Sequence, residues 1–220
     1  MSSPSHHALW NPAYEDRGAR LTDVLIVLTG ENAGELNNVR VREEAAGFTV
    51  TTMGTYADFL NESLAKYAHI WDLGYNTVIP PLVQAKYIDY LQNGGAAFMM
   101  GENSGFQSRN DSVCSLIGAA GGGVVTTGGN AGIITVPIVP EFLLVNSTPS
   151  VTFNAPAGFT ARGTGTAITT GLTCAVMWKT RSLSNCVKGA LVMILDVNFL
   201  QTAYLQSDFV HNLIAMLNRK

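Results

Sequence analysis

Ala96-Ala97-Phe98-Met99-Met100-Gly101-Glu102-Asn103-Ser104-Gly105-Phe106-Gln107 is the stretch that decides the fold. An apolar run stops at a glycine. Polar residues follow, then a second glycine, and a helix-like segment begins near Asn110. This order predicts a buried strand, a tight turn and a helix. Glycines there relieve the steric cost of positive φ and let backbone approach backbone. In α/β folds such a turn presents its central residue above the carboxyl end of the sheet, where sites usually form.

The flanking sequence repeats the alternation. Upstream, Asp23 to Leu28 is an apolar run ending in Thr29-Gly30, and Glu35 to Ala46 carries Leu36, Val39 and Ala46 at helical spacing before Gly47. Phe48 to Met53 alternates as a second strand, Asp58 to Tyr67 reads as a helix, and Ala68 to Leu73 reads as a third strand. Pro80 and Pro81 open a helix through Gln92, and Asn93-Gly94-Gly95 closes it. Downstream, Asp111 to Ala120 is helical and Gly121-Gly122-Gly123 stops it. Val124 to Met177 is rich in β-branched residues, Gly and Pro, and predicts short antiparallel strands attached to one edge. Gly189 to Leu195 returns as a buried strand, and Ser207 to Leu217 is an amphipathic helix. The expected fold is α/β. A doubly wound, mainly parallel sheet, flavodoxin-like, contains Val24–Leu28, Thr49–Met53, His69–Asp72, Ala97–Met100 and Leu191–Leu195. The chain divides into an N-terminal arm, residues 1–20, and one domain, residues 21–220, with residues 124–177 as a β-rich insertion.

Composition narrows the function. The net charge of −3 argues against a nucleic-acid footprint. Charged residues are only 13% of the 220, and between Asp111 and Lys179 the only ones are Glu141 and Arg162. Such a neutral surface suits secretion, carbohydrate contact or burial against other subunits; it also suits a merely soluble Thr/Ser/Gly surface. No apolar run is long enough to span a bilayer. Met1 to Arg20 lacks the apolar core of a signal peptide, so a cytoplasmic protein and a trimmed secreted one both fit. Cys174 and Cys186 could pair across a hairpin, but with Cys114 the count is odd and no metal-ligand spacing appears, which favours reduced structural thiols. Gly163-Thr164-Gly165 opens no helix and gives no phosphate loop, so no cofactor is expected.

The carboxyl ends of the expected strands carry Glu31, Asn32, Tyr75, Asn76, Glu102, Asn103, Ser104, Asp196 and Asn198. These converge on one rim if the sheet forms, as a polar pocket for a carbohydrate or small molecule; turns use the same residue types. A hydrolase reading would use Ser104, or Glu102 with Asp196 as paired carboxylates. No histidine stands near to shuttle a proton, and His69 reads as a bonded core residue.

The pattern Gly101-x-Asn103-x-Gly105-x-Gln107 resembles the nucleophile elbow of class I glutamine amidotransferases, Gly-x-Cys-x-Gly-x-Gln. The resemblance covers Leu21 to Ala120 and Gly189 to Lys220. It departs from the family at both catalytic positions. Asn103 stands where the nucleophilic cysteine would be, and a carboxamide forms no thioester. Asp196-Val197-Asn198 stands where the family has His-x-Glu. Other members of the superfamily without the triad act as binding or scaffold domains. The resemblance therefore implies a non-catalytic domain that binds or self-associates. The arm and the 124–177 segment, with anchors such as Leu9, Trp10, Pro12 and Tyr14 in the arm, are expected at contacts between copies in a homo-oligomer or larger assembly.

Overall fold

The computed structural model describes residues 21–30, 33–145, 147–202 and 207–219. The N-terminal arm and the rim candidates Glu31 and Asn32 lie outside the described residues.

The elements run β1 Asp23–Val27, α1 Ala33–Ala45, β2 Thr49–Met53, α2 Tyr56–Asn61, β3 Tyr67–Asp72, α3 Pro81–Gln92, β4 Ala96–Met100 and α4 Gln107–Ile117. Then come β5 Val125–Gly128, β6 Ile134–Pro137, β7 Ser150–Phe153, β8 Gly158–Arg162, β9 Thr166–Ala167, β10 Ala175–Trp178, β11 Ala190–Ile194 and α5 Ser207–Arg219. The main sheet has the order β2-β1-β3-β4-β11-β10-β9. β2 through β11 are parallel, and β10 and β9 add an antiparallel edge. All five segments expected in one sheet are there. Counting only the parallel strands gives the flavodoxin-like 2-1-3-4-5 order, whose topological switch lies between β1 and β3.

Both faces of this sheet are covered, which is why its central strands read as unbroken apolar runs. Val24, Ile26, Trp71, Phe98 and Met100 pack on one side with Val39 of α1 and Phe209 and Leu213 of α5. Leu25, Val27, Ile70, Ala97 and Met99 pack on the other with Phe59 of α2, Tyr87 of α3 and Val113 of α4. Residues 124–177 form two small antiparallel sheets, β5-β8 and β6-β7, and then supply β9 and the start of β10.

Three features differ from expectation. The Asp58–Tyr67 helix is instead α2 plus a 3-10 turn at Leu64–Lys66. Thr55 caps α2 by accepting from the Asp58 amide at 3.1 Å, and Glu62 is already extended at ψ 144°. Tyr67 then belongs to β3, paired with Asp23. The Asp111–Ala120 helix starts earlier, at Gln107, after a 3-10 turn at Ser104–Phe106, and passes into a π turn at Gly118–Gly122. Finally, Gly101 and Gly105 do not take positive φ. Close packing is what requires the glycine at 101: a Cβ there would sit 2.7 Å from Leu195 Cδ2 and 2.8 Å from Asn110 Oδ1.

Candidate functional site

The turn after β4 is built by local polar groups. Asn103 has φ −61° and ψ 174°, an ordinary extended conformation, and its Oδ1 accepts from the Gly105 amide at 2.9 Å. This is a side-chain cap on the following turn. Asn110 of α4 grips the backbone of Glu102 from both sides. Its Oδ1 accepts from the Glu102 amide at 2.9 Å, and its Nδ2 donates to the Glu102 carbonyl at 2.6 Å. Ser104 is exposed, and its amide donates to the Gly129 carbonyl at 3.0 Å.

Glu102 and Asp196 do come together at this rim, and both are buried. Each carboxylate is engaged by backbone amides. Glu102 accepts from the amides of Asn103 at 2.9 Å and Val197 at 3.2 Å. Asp196 accepts from Asn154 at 2.7 Å and Asn198 at 2.9 Å. Together they tie the turn after β4 to the turn after β11 and to the end of β7. Burial pushes the Glu102 carboxyl up to about 7 against its amide bonds, and the charge of Asp196 adds to the rise. Burial raises Asp196 as well, against the amides it binds. Phe199, just past Asp196, locks the same turn into an aromatic cluster with Phe98, Phe153 and Phe209.

At the switch between β1 and β3 the structure places a cluster that sequence reasoning missed. Arg109 of α4 is fully buried. Its Nη2 meets Asp72 Oδ1 at 3.0 Å, its Nη1 donates to Tyr56 Oη at 2.8 Å and to the Thr77 carbonyl at 3.1 Å, and its Nε donates to the Met100 carbonyl at 2.8 Å. Tyr56 and Tyr87 each donate to Asp72 Oδ2 at 3.0 Å, and the Gly74 amide donates to Oδ1 at 3.1 Å. Burial opposes the charge on Arg109, but Asp72 beside it raises the guanidinium overall. Burial also raises both tyrosines, reinforced by Asp72, so they stay protonated donors. The neighbouring loops close tightly over this cluster, and a Cβ at Gly74 would strike Thr29 Oγ1. The only sequence signal was an isolated Asp and an isolated Arg beside apolar runs.

Asn76 is exposed and Asn198 half-buried, so the rim keeps polar groups facing outward. Tyr75 and Phe106, both half-buried, meet edge to face there at 5.3 Å. Among the described residues the histidines are His69 and His211. His69 is fully buried in β3 with Nε2 2.7 Å from Glu43 Oε1, which also accepts from Trp71 Nε1 at 2.6 Å. His211 lies on α5 and lines a groove with Phe48 of the α1–β2 turn. Cys114, Cys174 and Cys186 are buried free thiols, and burial pushes Cys114 and Cys174 up to about 12. No group of three or more potential metal ligands occurs among the described residues, and no described helix is long and apolar enough to cross a membrane.

The fold is amidotransferase-like. The chain is similar to a glutamine amidotransferase from Thermotoga maritima with a TM-score of 0.56, 12% identity, and coverage of 91% of this chain and 98% of that one. It is similar to a ThuA-like protein from Bacteroides uniformis with a TM-score of 0.53, 14% identity, and coverage of 94% and 95%. It is also similar to the IFT52 N-terminal domain with a TM-score of 0.61, 12% identity, and coverage of 88% and 94%. Identities this low carry the fold alone. No protein-family model and no curated protein matches the chain.

Proposed function

We propose that this chain is a non-catalytic member of the amidotransferase-like fold that works by self-association. The observation that carries the reading is the use made of the elbow's polar groups. Asn103 caps its own turn, and Glu102 and Asp196 hold backbone amides. That chemistry positions loops and offers no thiolate, imidazole or activated water. Arg109 and Asp72 fill the β1–β3 switch, where doubly wound sheets otherwise receive ligands.

The association surface is the insertion. Val124 and Ile133 are 74% and 69% exposed in a segment with almost no charge. Identical neutral surfaces meet without repulsion, and the short strands there have free edges to pair. A second reading, a binding rim for carbohydrate, rests on the Tyr75–Phe106 pair beside Asn76, Ser104 and Asn198. Light scattering on the full chain tests the first. A species larger than the 23.5 kDa monomer is expected, dissociating when Val124→Lys and Ile133→Lys are combined. A monomer at every concentration would overturn it.

A further inference from the structure

A groove lies between the α1–β2 turn and α5. It holds about 310 Å³ and is lined by Ala46 and Phe48 from the α1–β2 turn, by His211, Ile214 and Ala215 on α5, and by Val145. Val145 is fixed there, because its amide donates to Asn212 Oδ1 at 2.8 Å. The lining is mostly apolar, and a volume of this order suits one large side chain with its neighbours.

We propose that the occupant is the stretch 8–14 of the same chain. The described chain begins at Leu21, beside this groove. The Thr22 carbonyl accepts from the Thr49 amide at 2.9 Å, and Thr49 directly follows Phe48 of the lining. Leu21 packs against the same apolar cluster as Phe48 and Ile214. Leu21 therefore stands at the groove's margin, the point from which the preceding residues start. They include Leu9, Trp10, Pro12 and Tyr14, an apolar cluster in an otherwise polar stretch.

The residues between Tyr14 and Leu21 span about 20 Å when extended, enough to turn back onto the groove. A tether of that length holds the stretch at an effective concentration in the millimolar range, so a modest contact is populated within one chain before a second copy competes. Trp10 is the natural anchor, because an indole combines a large apolar body with one N–H donor. This assignment does not depend on the self-association proposed above. It gives the stretch 8–14 to its own domain and leaves the insertion for contacts between copies.

Tryptophan quenching on the full chain tests it. The chain has three tryptophans, and Trp71 and Trp178 are fully buried. The expected result is that acrylamide reaches almost none of the emission. Ala215→Arg, which fills the groove with a charge, then exposes roughly the one-third contributed by Trp10, and Trp10→Phe abolishes that gain. If Ala215→Arg unfolds the chain, all of the emission becomes quenchable, and Val145→Arg on the exposed wall replaces it with the same expectation. A wild-type Trp10 as quenchable as in a free peptide of residues 1–20 would overturn the proposal. So would shielding that both groove variants leave intact, since the stretch would then dock elsewhere. Shielding that is lost on dilution would assign the groove to a second copy's arm and overturn it equally.

Discussion

Asn103 shows how one residue type sets the geometry of a strand–turn–helix corner. A cysteine at the corner of a strand–turn–helix is exposed for attack. An asparagine there folds its carboxamide back and satisfies the Gly105 amide. Asn103→Cys is expected to release no glutamate from glutamine in a coupled dehydrogenase assay, because no imidazole among the described residues serves the position; clear turnover would contradict the account. Asn103→Ala is expected to lower stability by about 0.5–2 kcal/mol in urea unfolding, the usual cost of losing such a cap. An unchanged midpoint would mean that water replaces the side chain without loss.

At the scale of elements, one guanidinium fastens α4 to three neighbours. Arg109 reaches the end of β4 through the Met100 carbonyl, the end of β3 through Asp72, and the start of α2 through Tyr56. An apolar replacement would strand the Asp72 charge in a buried site with only tyrosine and amide donors. Arg109→Met is therefore expected to destabilise by about 3–5 kcal/mol, the range for breaking a buried ion pair from one side. Pairing it with Asp72→Asn should recover part of that loss, because the stranded charge disappears. Equal loss in the double variant, measured by denaturation, would show that the geometry of the cluster matters more than its charge.

For the whole molecule, the buried carboxylates of the elbow set a dependence of stability on pH. The folded state raises Glu102 to about 7, above its ordinary value of 4.5. The folded form therefore holds a proton that the unfolded form has released. This contribution to stability is fully present below the ordinary carboxylate range and is lost as pH rises toward 7, with a slope of at most roughly 1.4 kcal/mol per pH unit for one proton. Asp196, raised in the same direction, adds to it. The urea midpoint is expected to fall between pH 5 and pH 8 and to flatten in Glu102→Gln. A midpoint that rises across that interval in the wild type, and not in the variant, would reverse the assignment.

The sequence by itself determined the sheet, because central strands covered on both faces must be apolar throughout. Ala96–Met100 and Ala190–Ile194 are legible for that reason. It also determined the placing of His69 as a bonded strand residue. The tertiary structure alone decided the rest. Arg109 meets Asp72 across 37 positions and Tyr56 across 53, and Glu43 meets His69 across 26. Such partners share no local pattern, and only chain topology brings them together. The end of α2 was hidden for a related reason: Tyr67 is a strand residue because Asp23, on a distant segment, pairs with it. Periodicity reports which face of an element is buried, but a buried polar group is fixed by whatever the fold sets opposite it.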